Sequence, residues 1–378
     1  MSFSTLGLPQ SFLDILEKEN YKKPYPIQKQ AIPVILNGQD VLGIAQTGSG
    51  KTASYVLPVL SSLNSKKGPK DRQVDVLVLV PTRELAEQVK DVFNIFEKGL
   101  SHSVKTMAIY GGVSINPQMK ALFGISILVA TPGRLLDLVD SNAVHFNKLQ
   151  TLILDEADKL LNLGFQEEMN RIFSLLPEKR QNLLFSATLN EKVEEINQIL
   201  LRDPVVINVA SKEGNIDQIS QLAYSISEER KGPFLRYLIK HGKMKQVLIF
   251  TSSTYKADNV AQKLQKNGIE AKAIHGKKNQ HARKMALEDF KAGKLRVLVA
   301  TDLLSRGIDI EFLPHVINYE LPRSPKDYVH RIGRTGRAES TGEAITLVTP
   351  QDEHHFKIIQ KKMKITVDRL DGNEIDLN

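Results

Sequence analysis

The chain has 378 residues, 41% hydrophobic and 25% charged, with no cysteine and a net charge of +8. This length suits two domains, the composition is ordinary for a globular protein, and the lack of cysteine excludes disulfides and thiolate metal sites. The longest apolar runs, such as VLVLV at 76–80, are strand-sized and too short to span a bilayer, so no membrane partner is expected.

The excess charge is uneven. Residues 1–210 carry 22 Lys+Arg against 22 Asp+Glu, whereas residues 211–378 carry 29 against 21. A basic second half points to a polyanionic partner, with mere solubility as the bland alternative. The start, MSFSTLGLPQ, has no basic segment followed by an apolar core, so with no cysteine in the chain a cytoplasmic location is expected. A monomer is expected.

In chain order, short apolar runs alternate with amphipathic stretches. Strands are predicted at 40–45, 75–80, 105–110, 125–130, 151–155, 181–186 and 204–209. Between them lie helical segments such as RELAEQVKDVFNIFEKG, whose Leu85, Val89, Val92, Phe93 and Phe96 share one face. The second half repeats the scheme, with strands near 222–226, 246–251, 271–274, 295–300, 315–320 and 343–348. Such alternation implies α/β domains with parallel sheets covered by helices on both faces. The polar stretch at 208–220 follows neither period and reads as a short flexible linker between domains 1–210 and 211–378.

DVLGIAQTGSGKTASYVLPVL, at 40–60, places a glycine-rich turn between an apolar strand and a helix. This is the P-loop pattern, with Ala45 where the strict form has Gly. The turn Gln46-Thr47-Gly48-Ser49-Gly50 can aim backbone N–H groups at phosphate oxygens, and the helix beyond it adds its positive dipole end. Lys51 can reach the terminal phosphates, and Thr52 can offer a hydroxyl to Mg²⁺.

TLILDEADKLL, at 151–161, then runs an apolar strand into Asp155, Glu156 and Asp158. Clustered like charges gain a fold little. By itself the stretch could be a strand ending at the surface, a helix start complementing its dipole, or a cation site. A P-loop needs a carboxylate from a second strand to hold Mg²⁺, so the cation reading comes first, with Asp155 for the metal and Glu156 for the attacking water.

Further segments are NYKKPYPIQ (20–28) with Phe3 upstream, PTRELA (81–86), GG (111–112), TPGR (131–134) and SAT (186–188). The second half adds LIFTSS (248–253), QHAR (280–283), ATDLLSRGIDI (300–310) and HRIGRTGR (330–337). Each is weak alone: TPGR suits any turn before a helix, and the bland reading of HRIGRTGR is a solvated basic helix, for which its glycines are poor filler.

In this order the segments resemble the DEAD-box RNA helicases, a family named for the residues found here as Asp155-Glu156-Ala157-Asp158. The resemblance covers nearly the whole chain and implies two RecA-like parallel-sheet domains in tandem. It also implies ATP and Mg²⁺ as cofactors and RNA as the partner, bound through its backbone with weak sequence preference. By resemblance Gln28 reads the adenine edge and Tyr21, where most members have Phe, stacks on the ring. Asp309 would contact the ribose, and Arg334 and Arg337 the γ-phosphate, with Arg337 the arginine finger. Asp158, Ser186, Thr188 and His330 would couple the metal site to RNA. Pro81, Arg83, Gly112, Thr131, Arg134, Gly276, Arg283 and Thr301 match RNA-contacting positions. The segment FLPHVINYELPRSPKDYVHRIGRTGRAESTGEAI most resembles the bacterial RhlE-type branch.

The implied activity is an RNA-dependent ATPase that unwinds short duplexes by closing two lobes on single-stranded RNA. The same motifs also suit an ATP-gated RNA clamp, or a remodelling module whose unwinding is incidental.

Overall fold

The computed structural model describes residues 2–46, 48–63, 69, 71–209, 219–302, 313–335 and 342–377. The chain divides into two compact units, Met1–Ser211 and Lys212–Asn378. Most of the expected linker lies outside the described residues.

The first unit contains β1 (Val41–Ile44), β2 (Val76–Leu79), β3 (Thr106–Ile109), β4 (Ile127–Ala130), β5 (Thr151–Leu154), β6 (Gln181–Ser186) and β7 (Val205–Asn208). They form one sheet in the order β3-β4-β2-β5-β6-β1-β7, and every pairing is parallel. Each strand presents alternate residues to opposite faces, so an unbroken apolar run serves two cores. Val76 and Val78 enter one core, whereas Leu77 and Leu79 enter the other. The helix Arg83–Phe96 shows the same economy. Thr82 caps it by accepting from the Leu85 N–H, and Leu85, Val89, Phe93 and Phe96 are buried on one side.

The second unit contains β8 (Ile219–Ser225), β9 (Val247–Thr251), β10 (Ala271–Ile274), β11 (Val297–Thr301), β12 (His315–Asn318), β13 (Gly342–Val348) and β14 (Asp368–Asp371). Their order is β10-β11-β9-β12-β13-β8-β14, again all parallel. The two orders correspond place by place, with β8 standing where β1 stands in the first sheet.

Two details depart from the sequence reading. β8 begins at Ile219 rather than 222, because Ser220 and Gln221 pair with β13 through their backbone despite polar side chains. β14 was not expected, since Asp368, Arg369, Leu370 and Asp371 are all exposed and the strand joins β8 at the sheet edge. Among the described residues no helix is long and apolar enough to cross a membrane.

Sheet order positions the motifs. Ile44 pairs with Ser186 and Leu184 with Leu154, so the segments after β1, β6 and β5 leave the sheet side by side. Ala130 pairs with both Leu79 and Ile109, which sets the ends of β2, β4 and β3 together beside them. Ligands of open α/β sheets bind at these carboxyl ends.

Candidate functional site

The glycine turn after β1 folds back on itself. The Ser49 hydroxyl donates to the Gln46 carbonyl at 2.7 Å, and Gly48 and Gly50 take φ values of 77° and 85°. Another residue at Gly50 would be strained by its φ, and its Cβ would crowd Gln28 Nε2 at 2.5 Å and Tyr25 Cδ2 at 2.8 Å. Lys51 opens the helix Lys51–Leu63, and its ammonium donates back to the Ala45 carbonyl at 2.6 Å, within the turn itself. Gln28 is fully buried beneath this turn, on the helix Pro26–Leu36. Tyr21 packs edge-on against Phe3 and Phe96, with ring centroids 6.4 and 5.6 Å away. Thr47 lies outside the described residues.

After β5 the backbone turns sharply. Glu156 adopts φ 53° and ψ 46°, a left-handed conformation that costs a residue with a side chain about 1–2 kcal/mol. Strain of this kind is characteristic of functional sites. The turn buries Asp155, Glu156 and Asp158 together. Asp155 Oδ1 accepts from the Glu156 N–H, and its Oδ2 accepts from the Tyr55 hydroxyl, both at 2.8 Å. Glu156 Oε1 forms an ion pair with Lys159, and Oε2 is buried with no hydrogen-bond partner. Burial raises the Glu156 carboxyl above its ordinary value, opposed by the Lys159 ammonium. Asp158 Oδ2 accepts from the Thr188 hydroxyl at 3.2 Å, while Ser186 at the end of β6 donates to the Thr188 carbonyl at 2.8 Å. The expected coupling residues of the first unit are therefore one bonded chain.

Among the described residues no three carboxylates or imidazoles gather as a metal cage. Thr52 and Asp155 offer oxygen donors only, and Asp155 is buried beside the phosphate cradle. That donor set suits Mg²⁺, which takes one or two protein ligands and completes its shell with phosphates and water.

The ends of β2, β3 and β4 carry a second cluster. Gly112 has φ 77°, and a Cβ on it would fall 2.1 Å from the Arg83 guanidinium, so glycine lets that side chain lie across the loop. Arg134 donates from Nη2 to the Val113 carbonyl at 2.9 Å, while its Nη1 is buried without a hydrogen-bond partner. Burial lowers the Arg83 pKa, and the nearby Arg134 charge lowers it further. Two guanidinium groups held close enough to oppose one another are poised for an anion. Pro81 and Thr131 are buried at the strand ends that carry these arginines. Gln118 fixes the loop, accepting from the Tyr110 N–H at 3.1 Å and donating to the Tyr110 and Ser114 carbonyls at 3.3 Å each.

In the second unit Gly276 is exposed just after β10, next to the buried His275, whose Nε2 lies 3.0 Å from Asp258 Oδ2. Arg283 is buried on the helix Gln280–Lys291, and Thr301 ends β11. His330 and Arg331 sit in the helix Pro325–Ile332, and Arg334 is buried just beyond it. Arg331 is committed to structure. It forms a two-pronged pair with Asp302 at 2.6 and 2.8 Å and donates to the Asn318 side chain and the Glu320 carbonyl. Glu320 in turn accepts from the Ser252 N–H and hydroxyl, both at 2.7 Å, and pairs with Lys256. Asp309 and Arg337 lie outside the described residues.

The sequence matches the DEAD/DEAH box helicase family over residues 25–196 and the helicase conserved C-terminal domain over 230–339. It is 41% identical over 365 residues to a DEAD-box ATP-dependent RNA helicase CshA of Streptococcus pneumoniae, covering 96% of this chain and 68% of that one. The chain belongs to the DEAD-box RNA helicase family. A CshA of Bacillus subtilis is 36% identical over 377 residues, covering 100% of this chain and 75% of the relative. The structure of S. cerevisiae Dbp5 bound to RNA and ADP BeF3 superimposes with a TM-score of 0.83 at 29% identity, covering 98% of this chain and 95% of that one. The RhlE-type branch expected from the second half finds no support in these relatives, which carry the CshA name.

Within this DEAD-box site, sequence reasoning passed over Tyr55, Lys159 and Gln118. Lys159 stands one helical turn after Glu156, a spacing that signals an ion pair once the helix is known. Tyr55 is hidden in the apolar run ASYVLPVL and reads there as core.

Proposed function

We propose that this chain is an ATP-dependent RNA helicase of the cytoplasm, an ATPase stimulated by RNA that separates short duplexes. The observation that carries the reading is the placement of the glycine cradle with Lys51 and of the buried Asp155–Glu156 turn at the ends of β1 and β5, the two strands that flank β6. Lys51 and the cradle N–H groups hold the β- and γ-phosphates. Thr52 and Asp155 hold Mg²⁺, which supplies charge neutralisation on the phosphate oxygens when bound. Glu156, one oxygen fixed by Lys159 and the other open, takes the proton from the attacking water. Arg334 and Arg337 stabilise the charge that develops in the transition state. Arg83, Arg134 and the Gly112 loop meet RNA phosphates, and the bonds from Asp158 through Thr188 to Ser186 relate that surface to the nucleotide. Gln28 reads the adenine.

Since the proposed cradle and base precede residue 210 and the arginines follow it, hydrolysis needs both halves of the chain. Steady-state ATPase with and without single-stranded RNA tests this on the intact chain, on residues 1–210, and on Arg337→Ala. Strong stimulation of the intact chain alone is expected, and stimulated turnover by the fragment would refute the two-unit mechanism. Strands displaced per ATP consumed on a short duplex separates an unwinding enzyme from an ATP-gated clamp.

A further inference from the structure

Tyr55 is fully buried in the helix that follows the cradle, its ring 5.3 Å from that of Phe185 and 6.5 Å from that of Phe93. A phenylalanine would fill the same space, and a buried hydroxyl is costly unless bonded. This hydroxyl is bonded: it donates to Asp155 Oδ2 at 2.8 Å. A phenol has a single proton, so that proton is committed to a residue assigned to the metal.

The consequence is orientation. The carboxylate is held at Oδ2 by the Tyr55 hydroxyl and at Oδ1 by the Glu156 N–H, which fixes the plane of its remaining lone pairs. We propose that Tyr55 is a positioning residue for Mg²⁺, setting the metal-facing lone pairs of Asp155. This inference rests on the assignment of Asp155 to the metal.

The test is Tyr55→Phe in the intact chain, read by binding of a ribose-labelled fluorescent ADP as Mg²⁺ is titrated. Outer partners of metal ligands affect metal affinity by about 10–100-fold, so half-saturating Mg²⁺ should rise roughly 10-fold. Binding in EDTA should stay near wild type, because the ring contacts persist. Unchanged Mg²⁺ dependence in Tyr55→Phe alongside a shifted Asp155→Asn overturns the role of Tyr55 alone. If Asp155→Asn also leaves Mg²⁺ dependence unchanged, the metal assignment falls and the inference with it. In the double variant the two shifts should not add, since Tyr55 acts through Asp155, and additive shifts also overturn the proposal.

Discussion

The side-chain amide of Gln28 donates to the carbonyl of Gly50 at 3.1 Å. Its Oε1 accepts from the Tyr25 N–H at 2.9 Å, which leaves one amide hydrogen for a base edge. The same side chain thus supports the phosphate cradle and can read the nucleobase. Gln28→Ala should weaken both ATP and GTP through the cradle, and ATP further by about 0.5–1.5 kcal/mol for the lost base contact. Equilibrium binding of the two nucleotides checks it. Equal losses would leave Gln28 with only the Gly50 role.

Glu156→Gln should retain ATP binding while turnover falls by about 10²–10⁴-fold, because the amide keeps the shape but cannot take a proton. Lys159 then loses its buried counter-charge, so the melting temperature should fall as well. Single-turnover hydrolysis beside nucleotide affinity reports the two effects separately. Near-normal turnover would remove Glu156 from the role of base.

RNA affinity should drop steeply with salt, since each phosphate contact by Lys or Arg releases counterions. Arg83→Ala should weaken RNA of any sequence and reduce the log–log salt slope by about 1. Arg134 is left with a simpler field in that variant, as the opposing charge at Gly112 is gone. A salt series on wild type and variant decides it, and an unchanged slope would take Arg83 off the RNA path.

Glu320 makes the second unit sensitive to acid. Burial pushes its carboxyl up, but the bonds from Lys256 and from the Ser252 N–H and hydroxyl outweigh this and leave it below the ordinary value. A depressed carboxylate contributes stability that is full above its unfolded pKa and lost as pH falls through the folded one. Wild type should therefore lose melting temperature on acidification below roughly pH 5, and Glu320→Gln should flatten part of that loss. Thermal melts across the acid range check the slope.

The elements that carry unbroken apolar runs were legible from residue order alone, because a strand buried on both faces admits little else. Val76–Leu79 and Ile127–Ala130 are such strands. Asp368–Asp371 was not, since it joins the sheet through its backbone with every residue exposed, and no apolar pattern in DRLD reports a strand. The phosphate cradle was legible because its chemistry is local to a few residues. Tyr55 was not, because its partner lies 100 residues further along the chain. Arg331 and Arg334 belong to one repeating motif, yet Arg331 is buried against Asp302. Arg334 is buried as well, so it is the two-pronged pair with Asp302 that marks Arg331 as structural, and spacing does not report it.

Two sheets share one strand order, but only the first leads from its corresponding strand into a glycine turn. After β8 the chain passes through Ile226 and Ser227 into the helix Glu228–His241, which carries Glu228 and Glu229 in its first turn. Those carboxylates already compensate the helix dipole and would repel a phosphate placed there. Duplicated architecture therefore does not mean duplicated occupancy. Calorimetric titration should saturate at one ATP per chain, and the second sheet is left free to serve as a partner in turnover rather than as a second engine.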